Sequence, residues 1–145
     1  MSNATALKFG YPHTLVAESA HWWILARPRQ VTLGSLVLVC KQPVTAFGDV
    51  SAAGFTDLQA VIARAESMLK GITAYERINY LMLMMVDPDV HFHVIPRYGT
   101  PREYAGVNLP DASWPNPLNL AAAIELAPDV LAALTADLKA RWDTA

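Results

Sequence analysis

The sequence predicts an α+β fold: an antiparallel sheet of about five strands, one long helix packed on it and a second helix at the C-terminus. Three observations carry that expectation. Between positions 14 and 98, short apolar runs alternate with turn signals. Phe55, Leu58, Ile62, Ala65 and Leu69 recur at helical spacing. Leu131, Leu134, Leu138 and Trp142 form a second helical stripe near the end.

Thr14–Ser19 and His21–Ala26 read as two short strands broken at Glu18-Ser19-Ala20, with Trp22 and Trp23 on opposite faces. Arg27-Pro28-Arg29-Gln30 interrupts, because proline lacks a donor and restrains the residue before it. Leu36–Cys40 is a continuous apolar run of the kind found in a strand covered on both faces. Ser51 is the expected cap of the long helix, Val61 and Met68 widen its apolar stripe, and Gly71 is its expected stop. Ile78–Val86 reads as a Met-rich strand, turned at Asp87-Pro88 into an antiparallel neighbour. Tyr98–Asn119, with four prolines and two glycines, reads as an irregular arm. Pro128 suits a first helical position, and Lys139 and Arg141 suit the last turn of the helix that follows.

A chain of 145 residues fits one domain, with a core over about 14–98, an arm over about 99–119 and a terminal helix over about 128–142. Hydrophobic residues at 53% and charged residues at 17% exclude a disordered chain. A net charge of −2 leaves no broad basic field for a nucleic acid polymer, although a local site can still hold a small anion. The single cysteine, Cys40, excludes a disulfide framework and reads as a buried hydrophobe. The apolar runs fall short of the roughly 20 residues of a membrane span. Met1–Thr5 has no secretory pattern, and the expectation is a cytoplasmic protein.

Chemistry concentrates in Asp89-Val90-His91-Phe92-His93-Val94-Ile95-Pro96-Arg97. Alternation along a strand would put Asp89, His91 and His93 on one face, about 6.6 Å apart in sequence steps, so that one phosphate-sized group can touch both imidazoles. Imidazole has a reference pKa near 6.5, is mostly neutral at pH 7 and serves as a nucleophile without a separate base. A carboxylate at Asp89 can orient such a ring.

The order of elements, with Asn79 to Arg97 and the segment Gly34 to Lys41, resembles the histidine triad superfamily of nucleotide hydrolases and transferases. The match includes the sequence Val94-Ile95-Pro96-Arg97 after the histidines. The resemblance implies that His91 attacks the α-phosphorus and becomes transiently nucleotidylated. It implies that His93 and Asn79 hold the substrate. The residues themselves add Asp89, on the face of the two histidines, and Arg97, with Arg102 nearby, which either neutralises distal phosphates or lies solvated at the surface. It further implies a diadenosine polyphosphate hydrolase-like activity, no cofactor, no metal, a small nucleotide as partner, and a homodimer.

This chain departs from that pattern in four places. Asp89 stands for the first histidine of the triad, Met84-Met85-Val86 for polar phosphate donors, and Ser35 for a histidine; Arg27 stands about where an acidic ribose ligand belongs. Two other readings follow. One is a catalytically weakened nucleotide-binding or interaction protein, favoured by Met84 and Met85. The other is a metal site at Asp89, His91 and His93, for which no fourth ligand occurs at a recognisable spacing. Trp22, Trp23 and Trp114 either stack a base or pack in the core or a dimer interface, and His13 and His21 read as structural or surface residues.

Overall fold

The structure is a computed structural model describing residues 3–145; Met1 and Ser2, part of the segment read for a secretory signal, lie outside the described residues. Leu36–Cys40 forms β4, buried at every position. Its neighbours are β2 (Trp22–Ala26) and β6 (His91–Arg97), and β1 (Leu15–Glu18) and β5 (Arg77–Leu81) form the edges. The result is a five-stranded sheet of order β1-β2-β4-β6-β5 with every pairing antiparallel.

Alternation gives each face of the sheet its own core. Trp22, Ile24, Leu36, Leu38 and Val94 pack with Leu58, Val61, Ala65, Met68 and Leu69 of helix α2 (Ala52–Thr73) and with Leu134 and Leu138 of helix α3 (Pro128–Thr144). Trp22 also donates its indole N–H to the Gly54 carbonyl at 2.9 Å, so it is a core residue. On the opposite face, Leu25, Val37 and Val39 meet Ala6 of a short helix, α1 (Ala4–Lys8), and Phe9 just after it, with Tyr11, Leu15 and Trp23 at the border. The Oδ1 of Asn3 caps α1 by accepting from the Ala6 N–H at 2.9 Å.

Four expectations need correction. The helix expected to stop at Gly71 continues to Thr73 and ends at Ala74, in the left-handed region at φ 48°. A glycine inside a helix costs only about 1 kcal/mol, and Arg102 satisfies the exposed end by donating to the Thr73 and Ala74 carbonyls at 2.7 and 3.2 Å. The Met-rich strand ends at Leu81 rather than Val86, because its ladder with β6 runs out at the Leu81–His93 pair. Beyond it, Met84 takes a positive φ of 53°, and Met85 and Val86 are 84% and 82% exposed. Asp89 precedes β6 and so is not part of its alternation. Finally, the arm contains a hairpin of β7 (Arg102–Tyr104) and β8 (Val107–Leu109), turned by Ala105 and Gly106, both at positive φ. That geometry matches the twist of paired strands. A further small sheet joins β3 (Arg29–Gln30) to β9 (Ile124–Glu125).

Gly34, at φ 88°, precedes β4 at a close approach: a Cβ there would lie 2.8 Å from Leu69 Cδ2. The left-handed backbone and the clash add, so Gly34→Ala should destabilise the fold by about 2–4 kcal/mol. Urea unfolding should show a lower midpoint with an unchanged slope; an unaltered midpoint would refute the packing described for this junction.

Candidate functional site

The β4–β6 register places Val39 opposite His91 and Val37 opposite His93. Both histidines therefore share the face covered by α1, while Phe92 between them and Val94 after them turn toward α2. His91 and His93 are 3% and 6% exposed, and their rings meet edge to face at 5.3 Å between centroids. Phe9 lies 6.2 Å from the first ring and 5.6 Å from the second.

His91 Nδ1 lies 2.7 Å from the backbone carbonyl oxygen of Asp89. A carbonyl only accepts, so Nδ1 carries the proton in that contact, and Nε2 is the nitrogen left with a free lone pair in the neutral ring. The orienting group expected from Asp89 is thus its main chain. Its carboxylate instead accepts from the Thr5 N–H at 3.2 Å and the Thr5 hydroxyl at 2.9 Å, fastening α1 to the segment before β6. Lys8 makes a second clasp, donating to both oxygens of Asp87 at 2.9 and 3.1 Å.

Both histidines line a cavity of about 510 Å³. Lys8, Arg27 and Arg29 bring positive charge to its wall, Asp87 and Glu125 bring negative charge, and Leu83, Met84, Met85 and Val86 form an apolar lip. Burial, followed by the charge of Arg27, pushes the His93 imidazole down to about 4; His91 and Lys8 act in the same direction and Asp87 opposes them. His93 is therefore neutral at pH 7, and its Nδ1 is buried without a partner among the described residues.

The structure brings together only part of the expected set. Asn79 and Arg97 bond each other at 2.8 Å farther along the sheet, away from the cavity. Arg97, 4% exposed, is held by Asp111 at 2.6 Å and by the Asn116 carbonyl at 2.7 Å, so its charge is already matched. Arg102 lies over the Tyr98 ring at the end of α2. His13 is exposed, and His21 bonds Asp57 through its backbone N–H. Among the described residues, no three His, Cys, Asp or Glu side chains converge as a metal site would require.

No family model and no curated protein matches the chain. Solved structures do match it in fold. A histidine triad (HIT) protein from Sinorhizobium meliloti superposes with a TM-score of 0.76 at 16% identity, over 97% of this chain and 96% of that one. A histidine triad protein from Bradyrhizobium japonicum gives 0.69 at 19% identity, over 88% of each chain. A Zn-bound histidine triad family protein from Mycobacterium smegmatis gives 0.66 at 14% identity, over 99% and 95%. The chain therefore has the histidine triad fold. None of its helices, among the described residues, is long and apolar enough to cross a membrane.

A histidine whose folded pKa is depressed adds nothing to the pH dependence above its unfolded value near 6.5. Between about 6.5 and 4 unfolding takes up a proton, so stability falls as pH falls. Unfolding free energies measured from pH 7 to 4.5 should decline by up to one proton less steeply in His93→Asn than in the wild type. Parallel curves would contradict a depressed His93.

Proposed function

We propose that this chain is a histidine triad nucleotide hydrolase or nucleotidyl transferase that cleaves a phosphoanhydride or phosphoramidate bond through His91, in the manner of the diadenosine polyphosphate hydrolases. The observation that carries this reading is the 2.7 Å contact of His91 Nδ1 with the Asp89 carbonyl, at the wall of a cavity with three cationic side chains. The lone pair of Nε2 attacks the α-phosphorus, a nitrogen–phosphorus bond forms, and the leaving group departs with the bonding pair. The ring gains positive charge in this step, and the carbonyl dipole at Nδ1–H stabilises it. Water then attacks the same phosphorus and gives up a proton to solvent as the nitrogen–phosphorus bond breaks, which releases the nucleoside monophosphate and returns the pair to Nε2. An acceptor in place of water makes the reaction a transfer.

His93, held neutral, suits a phosphate contact better than a second proton-transfer role. Lys8 and Arg27 supply charge to a wall where Met84, Met85 and Val86 offer no side-chain donor to the phosphate. That same lip favours a second reading, a nucleotide-binding protein of weakened turnover. A metal at Asp89, His91 and His93 is the least supported alternative, because Thr5 already holds the Asp89 carboxylate. The assembly proposed with this function is a homodimer in the cytoplasm.

His91→Asn should lower hydrolysis of adenylyl phosphoramidate or diadenosine polyphosphates by at least ~10³-fold, the scale of losing a nucleophile, with little change in thermal midpoint. Rapid-quench mass spectrometry of the wild type should find the nucleotidyl group on the peptide containing His91. Full activity in the variant removes His91 from the mechanism. Wild-type binding without turnover selects the second reading.

A further inference from the structure

The ladders that fix β6 stop short of the residue that orients His91. Pairing with β5 ends at Leu81–His93 and pairing with β4 at Val39–His91, with one further bond from the Cys40 N–H to the Val90 carbonyl at 2.9 Å. Asp89 lies just beyond. Its carbonyl shares a peptide plane with the Val90 N–H and points the opposite way. That N–H reaches the Val44 carbonyl at 3.4 Å, longer than an ordinary N–H···O bond. Main-chain contacts therefore hold the plane loosely, and a rotation of it would swing the carbonyl off Nδ1 of His91.

Thr5 supplies the missing anchor. It is 1% exposed, and its hydroxyl and N–H both donate to Oδ2 of Asp89, at 2.9 and 3.2 Å. A hydrogen bond to a carboxylate is stronger than a neutral one, and at a buried hydroxyl solvent does not compete for it. Helix α1 is itself seated on β4: Ala6 and Phe9 pack with Val37 and Val39, and the Asn3 side chain donates to the Cys40 carbonyl at 3.4 Å. The path runs from β4 through Thr5 to Asp89, whose main chain reaches His91. The Lys8–Asp87 pair belongs to the same helix, but half of the Lys8 side chain is exposed, and such a surface pair has little hold on Asp89.

We propose that Thr5 is a positioning residue for the nucleophile: by holding the Asp89 carboxylate it keeps the Asp89 carbonyl aimed at Nδ1 of His91. This rests on the reading that His91 is the attacking group. With the carbonyl in place the ring proton stays on Nδ1, and the lone pair of Nε2 is free for phosphorus. With the carbonyl displaced, the neutral ring also takes the Nε2–H form, which has no lone pair to offer there. The N-terminal helix, as well as β6, thus decides how much of the histidine is competent.

Thr5→Val keeps the size of the side chain and removes the hydroxyl, whereas Thr5→Ser keeps the hydroxyl. Histidine ¹⁵N spectra should show His91 as Nδ1–H in the wild type and in Thr5→Ser, and as a mixture with the Nε2–H form in Thr5→Val. With adenylyl phosphoramidate, kcat of Thr5→Val should fall ~10-fold or more while KM stays within about twofold, and Thr5→Ser should restore it. Asp89→Ala removes the same bond from its other end and should give the same mixture, a result that stands even where Thr5→Val does not fold. On the Asp89→Ala background Thr5→Val should lower kcat no further, because Thr5 acts only through that carboxylate. Lys8→Met, which loosens α1 elsewhere, should leave the tautomer of His91 as in the wild type. A pure Nδ1–H form in folded Thr5→Val overturns the proposal. Equal tautomer shifts in Lys8→Met and Thr5→Val, or additive losses in the double variant, overturn it too. Full turnover by His91→Asn refutes the catalytic reading alone, since the tautomer measurement needs no turnover. An Nε2–H ring in the wild type refutes both.

Discussion

The pairing of β6 with β4 is the constraint on which the site depends. Side chains alternate with a period of two, so a one-residue slip would bring Phe92 and Val94 to the cavity and drive His91 and His93 against α2. The register is fixed from both sides. Val94 belongs to the core with Leu36 and Leu38, and β5 pairs with the other edge of β6 from Arg77 to Leu81. Burial on the α2 face thus determines the chemistry on the other.

The second face needs a different solution, because a sheet surface carrying imidazoles cannot be sealed like a hydrocarbon core. The N-terminal segment covers it only in part. Ala6 and Phe9 complete the apolar contacts with Leu25, Val37 and Val39, while Thr5 and Lys8 bind Asp89 and Asp87. Those two clasps hold the segment between β5 and β6 at the point where the Asp89 carbonyl meets His91. One short helix therefore links packing, the shape of the cavity and the orientation of the nucleophile.

Periodicity made much of this legible. Leu36–Cys40, the stripe of α2, the stripe of α3 and the alternation of β6 each name their own element, because their burial follows directly from spacing. What escaped is non-local or very short. Helix α1 has five residues, too few for a period, and only Asn3 gave a local signal through its capping side chain. Met82–Val86 is as apolar as a strand, but hydrogen-bond partners, not composition, decide where a ladder ends. The β7–β8 turn uses Ala105 at a conformation that its residue type does not announce. Lys8 reaches the cavity from a part of the chain remote from Arg27 and Arg29, so no sequence spacing joins it to them; the charge of Arg27 at an unusual place was the one available clue. The Asp89 side chain failed to join the histidines because the strand begins two residues after it.

Everything proposed for the chemistry turns on His91 presenting an unprotonated Nε2 because the Asp89 carbonyl holds the proton on Nδ1. The ¹⁵N shifts and ring couplings of the histidines, recorded at pH 8 with His91→Asn for assignment, read that tautomer directly. His91 should show an Nδ1–H form, with its Nδ1 proton protected and shifted by a strong hydrogen bond. An Nε2–H form, with Nδ1 bare, would contradict it.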